Sequence, residues 1–224
     1  MILERNETFE ISENMIPPQM TVTIDDAKKM VKIFADLRMR YNAAIREVST
    51  KLEVLDNEFS VKHDYNPIHH MECRLKSMKS IIEKIQRKGW PMEIESVYKI
   101  TDFAGVRVIC NYIDDVYTVE KSLLRQDDVK LIRKSDYIKS PKESGYRSLH
   151  LVVEVPIFLT DRTYNMPVEI QIRTIAMDTW ASLEHELKYK RRDEMPGYVA
   201  QELKNCAKAM ADVDSKMERI HKMF

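Results

Sequence analysis

Glycine is scarce in this chain. Of 224 residues only Gly89, Gly105, Gly145 and Gly197 are glycine, and no two lie within ten residues of each other. Neither a G-x-x-x-x-G-K-[ST] phosphate loop nor a G-x-G-x-x-G dinucleotide turn can be assembled from them. A nucleoside triphosphate bound here would be held by side chains, without a glycine-rich backbone cradle. Cysteine is equally sparse: Cys73, Cys110 and Cys206 are odd in number and far apart, and two of them fall in apolar patterns. That usage excludes a disulfide framework and suits a reducing cytosol. No apolar run approaches the length of a membrane span and no signal-peptide pattern is present, so a soluble, cytoplasmic protein without a membrane partner is expected. Excess charge of one sign is missing too, since 36 basic and 36 acidic residues cancel. Bulk charge therefore predicts no polyanion partner, and any phosphate binding must come from local clustering.

What the chain does have is concentrated in residues 142–174, KESGYRSLHLVVEVPIFLTDRTYNMPVEIQIRT. A polar loop with Lys142, Tyr146, Arg147 and His150 leads into two β-rich runs, 148–155 and 166–173. Pro156, Asp161 and Asn165 fall in the connection between them. In the second run Val168, Ile170 and Ile172 point one way and Glu169, Gln171 and Arg173 the other, because strand side chains alternate. Such alternation is more often the solvated face of an antiparallel edge. The cations and the aromatic just before it favour a nucleotide-phosphate site beside the carboxylate instead.

The length suits one well-packed domain with helical additions. Residues 1–20 read as irregular, with Pro17 and Pro18 near their end. From Ile24 to Phe59 apolar residues recur at three-four spacing, broken only at Arg38, which predicts a long packing helix. Asn66-Pro67 marks a turn within 60–68. His63-Asp64 lacks a second histidine–acid pair and reads as loop, and His69, His70 and Cys73 lack the further ligands a metal site needs.

A helix is expected over 71–88, burying Met78, Ile81, Ile82 and Ile85. Lys76, Ser80, Lys84 and Arg87 share another side of it. Either this is a solvated charged face, or it faces a triphosphate, because the stripe contains no acid to offset the repulsion. Gly89, Trp90 and Pro91 end the helix. The strand expected over 103–110 carries Arg107 inside an apolar run, where it needs either an internal carboxylate or an acidic ligand. Asp102 at its start is placed like a metal carboxylate next to a phosphate site, or like a turn or capping residue.

A helix over 114–124 opens on two acids, as helix N-termini favour. A strand follows near 129–132, then a basic loop over 133–142. Residues 174–190 read as a helix with Trp180, Leu183 and Leu187 packed. After Pro196-Gly197 a final helix carries Val199, Leu203, Cys206, Met210, Val213, Met217, Ile220 and Phe224 at three-four spacing. The two terminal helices are expected to pair with each other or to form an oligomer contact.

Five stretches taken in order resemble the synthetase domain of the RelA/SpoT family, and in particular its stand-alone small alarmone synthetases. They are RLKSMKSIIEKIQRK, TDFAGVRVIC, KESGYRSLH, VEIQIRT and AMDTWASLEHELKYK. The resemblance runs from about Cys73 to Lys190. The segment IHHMEC, without the phenylalanine and glycine of the RelQ regulatory cleft, is more similar to RelP.

The resemblance implies an α+β fold with a mixed β-sheet, flanking helices and a nucleotidyltransferase-like core. It sets boundaries at 1–68 for an N-terminal packing segment, 69–192 for the catalytic core and 193–224 for a C-terminal helix, within one structural domain. It also implies pyrophosphate transfer from ATP to the 3′-hydroxyl of GDP or GTP, giving (p)ppGpp and AMP in the stringent response, with Mg2+ as cofactor and a homotetramer as assembly.

Carried over position by position, Arg74 and Arg107 resemble the pair that encloses adenine, and Lys76, Ser80, Lys84 and Arg87 the phosphate ligands. Asp102 and Glu169 resemble the metal carboxylates, with Glu169 also activating the hydroxyl. Tyr146 resembles the guanine-stacking residue, Lys142 and His150 the acceptor contacts, and Gln171 and Arg173 their supports. Asp178 and Ser135 depart from the family pattern, which has asparagine and arginine there. No room remains for the histidine–aspartate hydrolase domain of longer relatives, so synthesis alone is expected. The competing class is a non-catalytic RNA- or nucleotide-binding module using the same basic groove; the Asp102/Glu169 pair argues against it, and RNA is not a predicted partner.

Overall fold

The computed structural model describes residues 24–62, 64–91, 94–100, 102–190 and 196–223. The expected irregular segment 1–20, His63 and Phe224 lie outside these residues, as do the side chains of Ile24, Ala27 and Val31. In chain order the elements are α1 (Ile24–Lys62), β1 (Ile68–Leu75), α2 (Met78–Arg87), α3 (Ile94–Tyr98), β2 (Ala104–Cys110) and α4 (Ile113–Leu124). There follow β3 (Lys130–Asp136), β4 (Leu149–Phe158), β5 (Thr163–Thr174), α5 (Ile175–Lys190) and α6 (Gly197–His221). The strands form one sheet in the order β1-β2-β5-β4-β3. Only the β2–β5 pair is parallel, so the expected mixed sheet and α+β class hold.

β5 lies at the centre of this sheet, not at an edge. Val168, Ile170 and Ile172 are fully buried on one face, where α1 and α4 cover β2 and β5. The three-four stripe of α1 lands there: Leu37, Tyr41, Ala44, Ile45, Val48, Leu52, Leu55 and Phe59 are all buried, while Arg38 points outward. Tyr41 stacks flat on Phe103, with ring centroids 4.3 Å apart and planes 6° from parallel. The long helix thereby anchors the residue next to Asp102. The face opposite α1 carries Glu169, Gln171, Gly105, Arg107, Arg74 and His150, which the ladder register places side by side.

Several local expectations are corrected. Residues 71–75 belong to β1 and not to a helix, because 68–75 find a ladder along β2. The helix starts only at Met78, capped by Ser77, whose hydroxyl accepts from the Ser80 amide at 3.3 Å. It ends at Gly89, whose φ of +64° is the left-handed conformation that terminates helices. The basic loop over 133–142 begins as strand, since β3 runs on to Asp136 beside β4. Pro156 and Asn165 face each other inside the β4–β5 ladder, which leaves only a short turn after Phe158.

In α5, Trp180 is buried as expected, but Leu183 and Leu187 are 52% and 44% exposed. Met177 and Ala181 take their place against the core and α6. In α6 only Ala207 and Asp214 are buried, while Val213, Met217 and Ile220 face outward. The helix packs on α5 and α4 and does not run along α1, so the terminal helices do not pair within one chain.

Leu52 is wholly buried between α1 and the sheet. Leu52→Ala is expected to cost about 2–5 kcal/mol of folding stability, read as a lower urea midpoint with an unchanged m-value. A loss below about 1 kcal/mol would mean that α1 does not carry the core.

Candidate active site

The open face of the sheet, together with α2 and α5, walls a cleft of about 720 Å3. Arg74, Lys76, Ser80, Lys84, Arg87, Asp102, Arg107, Glu169 and Gln171 all line it. The elements that bring them together differ. Arg74 and Arg107 come from β1 and β2, where Arg74 pairs with Gly105 and Glu72 with Arg107. Lys76 leaves β1 through a backbone bond to the Phe103 carbonyl at 2.9 Å. Ser80, Lys84 and Arg87 project from α2, whose opposite side is pinned by the buried Ile81 and Ile85. The row expected along one helix thus holds in space, although Lys76 precedes that helix.

Asp102 stands at the inner end of this row. Its Oδ2 accepts from the Lys76 ammonium at 2.7 Å, and the Lys84 ammonium lies 2.6 Å from Oδ1. The Lys84 contact has the length of an ion pair but poor hydrogen-bond angles, which leaves the buried Oδ1 without a directional partner. Burial pushes the Asp102 carboxyl up, yet the two ammonium groups outweigh it and hold the group below the usual aspartate range.

Glu169, two strands from β1, is held differently. Its Oε2 accepts from the Gln171 amide at 2.9 Å, and His150 Nδ1 lies 3.5 Å from Oε1. Gln171 Oε1 in turn accepts from Arg173 at 2.6 Å, Arg173 donates to the Tyr146 hydroxyl at 2.7 Å, and Tyr146 reaches His150 Nε2 at 2.8 Å. These contacts close a ring: Glu169, Gln171, Arg173, Tyr146, His150 and back to Glu169.

With His150 neutral and its Nδ1 bonded to Glu169, the ring has one consistent direction. Arginine can only donate, so the Tyr146 oxygen accepts from it and Tyr146 spends its own proton on His150 Nε2. A neutral His150 then carries its hydrogen on Nδ1, facing Glu169. Gln171 accepts from Arg173 and so turns its amide N–H towards the same carboxylate. Burial pushes Glu169 up, but the His150 and Gln171 hydrogen bonds prevail and keep it below the usual glutamate range.

Arg173 is itself 5% exposed and shares Asp178 with Arg107, at 3.1 Å and 3.5 Å. Asp178 thus becomes a bridge between two guanidiniums in the first turn of α5. Arg107 also donates to Glu72 at 2.9 Å, a partly exposed pair that an incoming ligand can replace at little cost. Lys142 places its ammonium over the rings of Tyr137 and Tyr146, at 4.6 Å and 4.8 Å. Ser135, at the other departure, is paired with His150 across the β3–β4 ladder.

Every site residue expected from the sequence falls in the cleft or in the ring beside it except Lys142, which lies over the Tyr146 ring. Tyr137, Glu72 and Cys73 were not anticipated. Tyr137 follows an acidic residue inside a basic stretch, the one local hint of a second ring around Lys142. Glu72 gave no hint, because its role depends on being opposite Arg107 in the ladder. His185, left unassigned in the sequence, also lines the cleft.

Comparison with known proteins agrees with this geometry. Residues 73–194 match the region found in RelA / SpoT proteins. The chain is 40% identical over 200 residues to GTP pyrophosphokinase YwaC of Bacillus subtilis, covering 89% of this chain and 95% of that one. It is 38% identical over 181 residues to GTP pyrophosphokinase YjbM of the same organism, covering 80% and 84%. The crystal structure of small alarmone synthetase 1 from Bacillus subtilis, bound to its product pppGpp, matches with a TM-score of 0.80 at 34% identity, over 86% of this chain and 98% of that one. Small alarmone synthetase 2 from Bacillus subtilis matches at 0.78 and 40%, over 85% and 99%. The family region, the near full-length relatives and the shared fold place this chain in the RelA/SpoT family, beside its small alarmone synthetases.

Proposed function

We propose that this chain is a (p)ppGpp synthetase, a GTP/GDP diphosphokinase that moves the pyrophosphate of ATP to the 3′-hydroxyl of GDP or GTP and releases AMP. The observation that carries the reading is the ring that turns an ionised Glu169 towards a cleft whose other wall is cationic. Pyrophosphoryl transfer asks for charge neutralisation and in-line placement more than for a covalent nucleophile. Lys76, Ser80, Lys84 and Arg87 supply neutralisation along the triphosphate. Arg74 and Arg107 are diagonal neighbours on adjacent antiparallel strands, about 7–8 Å apart by ladder geometry, which leaves room for one purine ring between two guanidiniums.

On the acceptor side, Tyr146 offers a face for guanine, and Lys142 and His150 contact the ribose and phosphates. Gln171 and Arg173 hold Tyr146, His150 and Glu169 in register. Glu169 is the base: it takes the proton of the 3′-hydroxyl as that oxygen bonds to the β-phosphorus and the bridging oxygen departs with AMP. His150 Nδ1–H and the Gln171 amide keep the carboxylate ionised at neutral pH.

The donor set also suits a divalent cation, which we assign as Mg2+. Asp102 and Glu169 would hold it, with the Asp102 Oδ1 exchanging its contact with the Lys84 ammonium for the cation. No group of three or more His, Cys, Asp or Glu among the described residues could hold a metal alone. Two carboxylates completed by substrate phosphates is the usual magnesium arrangement. When bound, the ion neutralises phosphate charge and acidifies the attacking hydroxyl.

The core of the enzyme is read as 69–192, with 1–68 and 193–224 as packing and contact segments. The outward row Val213, Met217 and Ile220 on α6 is the surface by which copies would assemble, into a homotetramer as the family resemblance implies. Reaction at this site is synthesis without hydrolysis.

Glu169→Gln should lower synthesis from ATP and GDP by about 10²–10⁴-fold with an unchanged circular-dichroism spectrum; near wild-type turnover would remove the base assignment. Lys84→Met should raise the Asp102 pKa, seen by carboxyl NMR titration. Because that pKa is depressed in the folded state, the Asp102 contribution to stability is present above the unfolded aspartate value and fades as pH falls through the folded one. In the variant this loss should be smaller and complete at a higher pH, and an identical titration would mean that Lys84 does not set the charge of Asp102. Light scattering should give a multiple of 26.5 kDa; a monomer at micromolar concentration would dismiss the α6 contact.

A further inference from the structure

Asp178 stands between the two halves of the site. It lies in the first turn of α5, where a helix N-terminus favours a carboxylate, and its side chain is only 19% exposed. Two guanidiniums reach it, and both reach the same oxygen. Arg173 Nη1 donates to Oδ1 at 3.1 Å, and Arg107 Nη1 lies 3.5 Å from that atom. The first contact is a hydrogen bond and the second only an ion pair, so the oxygen is divided unequally.

The two arginines serve different networks. Arg173 is buried, and its Nη2 donates to Gln171 and Tyr146 in the ring around Glu169. Among the described residues Asp178 is the one carboxylate at ion-pair distance from it. Arg173 Nε has no partner, so this pair is single-pronged and falls short of the bidentate fork that arginine makes at its best. Arg107 lines the donor cleft, and its second carboxylate, Glu72, is partly exposed. It is also opposite Gln171 in the β2–β5 ladder, directly beside the ring. A ligand that draws Arg107 into the cleft leaves Oδ1 to Arg173 alone. An undivided charge-assisted bond is shorter and stronger, and the residues that Arg173 holds are then held more firmly.

We propose that Asp178 is a positioning residue that couples the two nucleotide subsites. Filling the donor cleft engages Arg107, releases Asp178 to Arg173, and firms the ring that carries Tyr146 and Glu169. Each nucleotide then raises the affinity of the other, by the same factor in both directions. This coupling rests on the reading of Arg107 as an adenine contact and Tyr146 as an acceptor contact. Asparagine at 178 would keep an acceptor oxygen of the same shape but lose the charge for which the two guanidiniums compete.

The test is equilibrium binding without turnover, on the full chain and its Asp178→Asn and Glu72→Gln variants, each checked for folding by circular dichroism. Calorimetry gives Kd for GDP with and without a saturating non-hydrolysable ATP analogue, and Kd for the analogue with and without GDP. The wild type is expected to bind GDP about fivefold or more tightly with the analogue present, with the same gain in the reverse order. In Asp178→Asn the gain disappears, although each nucleotide still binds alone. Glu72→Gln removes the Arg107 partner that does not touch Arg173, and it keeps the gain. A purely structural Asp178 would weaken binding equally with and without the second nucleotide; an undiminished gain in Asp178→Asn therefore overturns the proposal. So does a wild type without any gain, or a Glu72→Gln variant that loses it, since coupling would then not run through the shared oxygen. A wild type that binds neither nucleotide would remove the synthetase reading itself, and this coupling with it.

Discussion

The closed ring of hydrogen bonds around Glu169 is the constraint on which the site depends. A lone carboxylate on a central strand would be pushed towards its neutral form by burial, and a neutral acid cannot accept a proton. Here the cost is offset by two donors, Gln171 and His150, whose orientations are dictated in turn by Arg173 and Tyr146. Because arginine has no acceptor atom, the ring has one consistent direction when His150 is neutral. The same bonds that keep Glu169 ionised also lock Tyr146 and His150 in place, so carboxylate, phenol ring and imidazole are positioned together.

The ring needs a rigid platform, and α1 provides it from behind. Apolar residues of α1 fill the back of the sheet, leaving the front free for polar groups. The Tyr41–Phe103 stack ties this packing to Asp102, which begins the cationic half of the cleft. Asp102 and Glu169 are held by opposite means, the first by two ammonium groups and the second by an amide and an imidazole. Asp102 and Glu169 both lie below their ordinary carboxyl ranges, although the charge of Asp102 pushes Glu169 up.

The C-terminal helix has a larger part than its stripe suggested. Trp180 donates to the Leu203 carbonyl at 2.9 Å, Thr174 donates to the buried Asp214 at 2.6 Å, and Gly145 abuts Ala207. Burial raises the Asp214 carboxyl above its ordinary range, and Thr174 also accepts from the Met177 amide to start α5. One face of α6 thus supports the end of β5 and the Tyr146 loop, while its apolar row looks outward.

Alternation and three-four spacing determined much of this protein from the chain alone. The core faces of β5 and α1 follow from them, as does the row Glu169, Gln171 and Arg173, because a period of two or 3.6 sets which side chains share a surface. The shortage of glycine excludes a backbone phosphate cradle, and basic side chains line the cleft instead. Tertiary structure decided what periodicity cannot encode. Residues 71–75 became strand because β2 offered them a ladder, overriding a pattern that read as helix. Leu183 and Val213 stayed outside because packing partners, not hydropathy, select the buried stripe of a helix. The ring around Glu169 joins residues up to 27 positions apart, and no local pattern specifies which donor meets which acceptor across two strands and a loop.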